Sequence, residues 1–149
     1  MKKLLHMTIA GSLIMALTPA HALAKELTVS ITAIQKERPG QIMVMLFGKQ
    51  GFPKDHGQAI EIQTKKTENG TATMTFRFTV EIEEFAFKVL HDEDMDGQVG
   101  KNWTGIIPAE GLGFSGGAKL GLTGPPSFKR AKLSLAEIED AIEIPIIYP

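Results

Sequence analysis

The chain has 149 residues, with 16 Lys and Arg set against 17 Asp and Glu, and no cysteine. A charge this close to balance, without a basic stripe, excludes a nucleic-acid role, and nothing in the sequence calls for such a partner. The absence of cysteine removes disulfides and thiolate metal sites together.

The first 24 residues read as a bacterial secretory signal. Lys2 and Lys3 open it, an apolar stretch runs from Met7 to Leu17, Pro19 breaks the chain, and Ala22-Leu23-Ala24 supplies the small residues a signal peptidase reads. The apolar run is shorter than the roughly 20 residues needed to cross a bilayer. Cleavage after Ala24 is the expectation, leaving residues 25–149 as one periplasmic or secreted domain with no membrane span. Its 14 basic and 17 acidic side chains carry a net charge of −3. A domain of this size buries roughly two-thirds of its unfolded surface and needs no covalent staple.

From there the dominant period is two, the mark of strands with one face inward. "ELTVSITAI" points Leu27, Val29, Ile31 and Ala33 to one side. "QIMVMLF" is apolar on both faces, as a strand between two covered surfaces would be. "QAIEIQT" is a shorter candidate. "TATMTFRFTV" alternates most cleanly, with Ala72, Met74, Phe76, Phe78 and Val80 inward and Thr75 and Arg77 outward. "EFAFKVL" follows with Phe85, Phe87 and Val89. "FKRAKLSL" offers Ala131, Leu133 and Leu135, and "DAIEIPIIY" offers Ile142, Ile144, Ile146 and Tyr148, with Pro145 marking an edge strand. "SLAEIEDAIE" has some helical propensity but mixed apolar spacing.

Seven short strands separated by Pro39-Gly40, Asn69-Gly70 and Asp96-Gly97 turns predict an all-β fold, an antiparallel β-sandwich of immunoglobulin or transthyretin type. Between Gly97 and Gly124 lie nine of the fifteen glycines and hardly any strand pattern. Connections of that length are uncommon in compact domains. This one carries Trp103, Ile106, Ile107, Leu112, Phe114 and Leu120, too apolar for a slack linker. An ordered loop folded over one end of the sandwich is expected.

The blocks "LFGKQGFP", "FKVLHDEDMDGQVGKNWTGIIPAEGLGFS" and "GPPSFKRAKLSL", in that order behind a signal peptide, resemble the bacterial family catalogued as domain of unknown function 2141. The middle block is the most specific: a strand ending in His-Asp, an acidic Asp-Gly loop, then Gly-Ile-Pro-like and Gly-Phe-Ser elements. Gly105-Ile106-Ile107-Pro108 has one isoleucine more than the usual pattern, and "VEIEEF" lacks the Pro-Gly turn common there. The resemblance implies an exported β-sandwich and assigns no activity.

The acidic loop is the main candidate for chemistry. Asp92, Asp94 and Asp96 stand at positions one, three and five of a calcium-loop pattern, Gly97 at six, and Gln98 at seven would offer its carbonyl. Trp103 occupies position twelve, where a bidentate glutamate would close the cage. Asn102 and Glu110 are candidate donors of the missing oxygens. Two readings stand open: a weak calcium site, or an acidic turn shaped by Asp96-Gly97.

Other patterns carry less. Gly113-Phe114-Ser115-Gly116-Gly117 satisfies the serine-elbow spacing, but no histidine follows Ser115 to act as base. Gly111 to Gly116 also spells a dinucleotide fingerprint without the strand and helix that it needs. His91 beside Asp92 is a candidate acid–base pair, although a histidine ending an apolar strand more often serves structure. Trp103, Phe114 and Phe128 either pin the long loop to the core or form an aromatic platform, and Trp103 and Phe114 with His91 and Glu110 are the candidate lining of a small-ligand pocket. The sequence therefore favours a non-catalytic exported module with a calcium-ordered loop. A small-ligand binder is the alternative, and a protein partner stays open.

Overall fold

A computed structural model of the chain describes residues 24–68 and 70–149; the expected secretory signal, apart from Ala24, lies outside the described residues. The elements are β1 (Lys25–Thr32), β2 (Gln41–Phe47), β3 (Glu61–Lys66), β4 (Met74–Val80), β5 (Glu84–Asp92), β6 (Gly111–Phe114), a one-turn helix α1 (Phe128–Ala131), β7 (Leu133–Ser134) and β8 (Ala141–Pro145). They form two sheets facing each other, ordered β4-β1-β8 and β3-β2-β5-β6, with β7 added to the start of β5. Every pairing between strands is antiparallel except β1 with β8, which run parallel. The chain is an all-β sandwich.

Alternation explains the main core. Leu27, Val29 and Ile31 of β1 and Phe76, Phe78 and Val80 of β4 meet Ile42, Val44 and Leu46 of β2 and Phe85, Phe87 and Val89 of β5. The doubly apolar β2 has a second partner for its other face. Met43, Met45 and Phe47 join Leu90, Leu112 and Phe114 in an outer apolar layer, covered by Phe52, Ala59, Val99 and Ala118 from loops. The central strands β2 and β5 are thus buried on both faces, as the pattern in "QIMVMLF" requires.

Three expectations are corrected. Ala33 is exposed, because the chain turns left-handed there (φ 57°) and Ile34 takes the buried place. "FKRAKLSL" is not one strand: it begins as α1, and only Leu133 and Ser134 pair with β5. The end of that helical turn is held from outside, since Ser115 Oγ donates to the Ala131 carbonyl at 2.7 Å. Ala131 and Leu135 are nonetheless buried, as expected. The glycine-rich stretch is ordered as foreseen, but it contains an unforeseen strand, β6, whose four residues are all buried.

Past β8 the chain crosses between the sheets. Leu112 and Ile147 exchange both backbone hydrogen bonds (3.0 and 2.8 Å), which ties β6 to the C-terminal segment. Gly111 and Gly113 make this possible: a Cβ on Gly111 would stand 2.5 Å from Ile146 and Tyr148, and one on Gly113 would stand 2.9 Å from the Pro145 carbonyl.

Candidate functional site

The acidic loop leaves the end of β5, and strand parity sets its chemistry. Along β5 the side chains of Lys88, Leu90 and Asp92 share the outer face, while Val89 and His91 face the opposite way. Asp92 is fully buried and folds the loop around itself. Its Oδ1 accepts from the Asp96 N–H (3.1 Å), and its Oδ2 accepts from the Gly97 N–H (3.0 Å) and from Gln41 Nε2 (2.8 Å). Asp94 Oδ1 also accepts from the Asp96 N–H (3.2 Å), and Asp96 Oδ1 from the Gln98 N–H (2.7 Å). The chain reverses through left-handed Met95 (φ 59°) and Gly97 (φ 76°). A carboxylate oxygen from each of Asp92, Asp94 and Asp96 comes within 4.8 Å of the others, with Asp94 and Asp96 exposed. No ion pair among the described residues reaches any of the three; Arg38 pairs with the adjacent Glu93 instead, at 2.5 Å.

Glu110 clamps this loop from β6's side. Its Oε1 accepts from the Glu93 N–H (2.8 Å) and its Oε2 from the Gly100 N–H (2.6 Å), joining the two ends of the excursion. Burial pushes its pKa up, and the two N–H donors pull the other way. Both Glu110 oxygens are therefore committed to backbone, and it stands outside the group of three. Asn102 is likewise occupied, accepting from the Thr104 N–H at 3.2 Å and hydroxyl at 2.5 Å in the next hairpin. Gln98 is exposed in the loop, its N–H held by Asp96. The oxygen-rich set of three fits a hard cation, and it offers no nitrogen or sulfur donor for a softer one.

His91 is fully buried and fully spoken for. Its Nε2 lies 3.0 Å from the Pro39 carbonyl, which can only accept, so Nε2 carries the proton. Its Nδ1 then accepts from the Tyr148 hydroxyl at 2.6 Å, and that oxygen accepts from the Gln35 N–H at 3.1 Å. Burial lowers the His91 pKa, with the Pro39 carbonyl and Glu93 opposing. This is a structural histidine locking the C-terminal segment, and not a base facing solvent. Ser115 is equally buried: it accepts from the Phe87 N–H (2.8 Å) and donates to Ala131, so the serine-elbow spacing marks packing.

The aromatic residues divide. Phe114 and Phe128 both stack edge-on against Phe52, at 6.3 and 5.9 Å between ring centroids, and pin their segments to the outer layer. Trp103 pins nothing: it is 96 % exposed. A cleft of about 110 Å³ is lined by Ile107, Leu112, Phe114, Leu120, Ile147 and Tyr148, with Glu110 at its wall. Glu110 and Phe114 thus share a cleft, while His91 and Trp103 are not part of its lining. The volume is well below the roughly 300–1,000 Å³ of ordinary small-molecule sites. A larger hollow of about 420 Å³ lies open to solvent along Lys132 to Ala141 and contains none of the predicted site residues.

One arrangement escaped the sequence reading. Lys88 is 4 % exposed, yet among the described residues its ammonium meets only the Pro53 carbonyl (2.9 Å) and His56 Nε2 (2.7 Å). His56 Nδ1 in turn donates to the carbonyl of Gly97, in the acidic loop, at 2.9 Å. The 48–60 loop is thereby fastened across the outer face to the 92–98 loop. Burial lowers the Lys88 pKa to about 8, and burial with the adjacent Lys88 charge lowers that of His56. The available signal was a single lysine inside the otherwise apolar "FAFKVL".

No curated protein and no solved structure matches this chain. A family model does, over residues 29–143, a span that runs from β1 into β8 and includes the acidic loop, Glu110 and the Lys88–His56 pair. The chain therefore belongs to domain of unknown function 2141, a family described as uncharacterized protein conserved in bacteria.

Proposed function

We propose that this protein is an exported, non-catalytic β-sandwich module whose 92–98 loop binds calcium, and that the ion orders the segment leading into β6. One observation carries the reading: three carboxylates converge within 4.8 Å with no basic side chain paired to them among the described residues. Like charges at that spacing repel unless a cation stands among them. All-oxygen donors and an incomplete set suit calcium better than magnesium, which demands near-ideal octahedral geometry. Affinity on the order of 10⁻⁴ to 10⁻³ M is expected, the range of extracellular calcium modules.

The test is calcium titration by calorimetry and thermal melting. At ten to a hundred times Kd, calcium should stabilise the fold by about 1.4–2.7 kcal/mol, with a smaller effect from magnesium. Asp94→Asn with Asp96→Asn should abolish that response and leave the fold intact, because both side chains are exposed. Asp92 is unsuited to this test, since it also organises the loop backbone. No heat at millimolar calcium, together with an unchanged melting curve, would leave the loop an acidic turn.

A further inference from the structure

We infer that the tips of the 101–108 hairpin and of the 121–124 turn form a docking surface for an anionic phospholipid bilayer. The hairpin is ordered: Lys101 pairs with Pro108, and the Asn102 N–H donates to the Ile107 carbonyl at 2.8 Å. Its tip nonetheless turns Trp103 and Ile106 outward, 96 % and 80 % exposed. In the second turn Gly121 and Gly124 exchange backbone hydrogen bonds (2.9 and 3.1 Å), and Leu122 between them is fully exposed. Ile107, Leu120 and Ile147 are exposed as well and line one cleft, which joins the two tips into one surface. Two hydrogen-bonded turns thus hold large apolar side chains away from a core that is already filled.

Protruding apolar tips fit a yielding surface, and tryptophan has its preferred place at the boundary between water and lipid. Charge selects the headgroup. From Gly97 to Ser127, the stretch that carries both tips, the charged side chains are Lys101, Lys119 and Glu110, and Glu110 is buried. Lys101 stands at the base of the hairpin and Lys119 lines the cleft, both exposed. Basic side chains beside inserted apolar ones are drawn to anionic leaflets. Asp94 and Asp96, exposed in the preceding loop, oppose that attraction, so the binding is weak and sensitive to salt. This surface uses none of the three carboxylates of the ion reading.

Trp103 is the chain's single tryptophan, so its fluorescence reports the tip directly. The protein beginning at Lys25, which carries every described strand, is mixed in EDTA with vesicles of phosphatidylethanolamine and phosphatidylglycerol. The expected result is a shift of Trp103 emission to shorter wavelength, reversed by salt and much weaker with phosphatidylcholine vesicles. Ile106→Ser and Leu122→Ser should each lower vesicle partitioning about tenfold or more, the loss of one inserted aliphatic side chain, with unchanged melting curves. Emission that stays at its water-exposed position with anionic vesicles overturns the proposal. So does a shift that either serine variant leaves intact, or an equal shift with phosphatidylcholine. A shift that appears with rising protein concentration and no vesicles would assign the surface to a second copy of the chain, and overturns it too.

Discussion

Lys88 carries its ammonium into an apolar layer where no carboxylate among the described residues meets it. The folded protein therefore holds that proton less tightly than the unfolded chain, with a pKa of about 8 against an ordinary 10.5. For a base with a lowered folded pKa, folding is disfavoured while both states are protonated, and stability rises as pH climbs from 8 towards 10.5. The predicted rise is about 3 kcal/mol. Urea unfolding at pH 7 and pH 10 should show it in the natural protein and not in Lys88→Met; parallel curves for the two proteins would refute it. His56 and Asp92 are bound into the same face for the same reason, each using its polar atoms to satisfy a neighbouring loop. The roles within the aspartate trio therefore differ: Asp92 builds the loop, and Asp94 and Asp96 face outward from it.

At the level of elements, β6 shows why a strand can hide from periodicity. "GLGF" does alternate, but its inward residues are glycines, because Ile144, Ile146 and Tyr148 already fill the space where side chains would go. The outward residues, Leu112 and Phe114, meet the outer layer. Gly113→Ala should cost about 1–3 kcal/mol as an overpacked position whose neighbour is a backbone carbonyl. Gly117→Ala, where nothing stands within 4 Å, should cost only the strain of its φ of 66°, roughly 1 kcal/mol. Thermal melts of the two variants check the order; equal losses would mean β6 does not lie tight against the C-terminal segment. The other strands were legible because their alternating residues are large. α1 was not, since four residues give no period to read, although Ala131 and Leu135 are buried and Leu133 half-buried as alternation would have it.

Across the whole molecule, the two open sides of the sandwich are closed by different means. On one side β3 and β4 do not pair, but Gln63 Nε2 donates to the Arg77 carbonyl at 2.7 Å and Lys65 Nζ to the Thr75 carbonyl. Side chains thus cover carbonyls that would otherwise invite another strand. On the other side the C-terminal segment closes the seam, with Ile146 in the core, Ile147 paired to Leu112, and Tyr148 bonded to His91. Deleting residues 146–149 should therefore destabilise the fold by about 2–5 kcal/mol, the range for emptying one buried aliphatic site, and should speed proteolysis around β6. Urea midpoints and limited digestion would read both effects. A truncated protein as stable as the parent would show that the crossing is ornamental.

Strand parity, the all-β class and the acidic loop follow from local sequence, because side-chain alternation and Asx-type turns are set within a few residues. The sequence also singled out Asp92, Asp94, Asp96 and Glu110 as oxygen donors. Only the tertiary structure separated them. Glu110 arrives from 18 residues beyond Asp92 with its oxygens bound to backbone, His91 is locked by Tyr148 from the far end of the chain, and Lys88 meets His56 across a loop. Each of those contacts joins residues whose spacing in sequence carries no period. What brings them together is the packing of two sheets and the loops that cover their outer face.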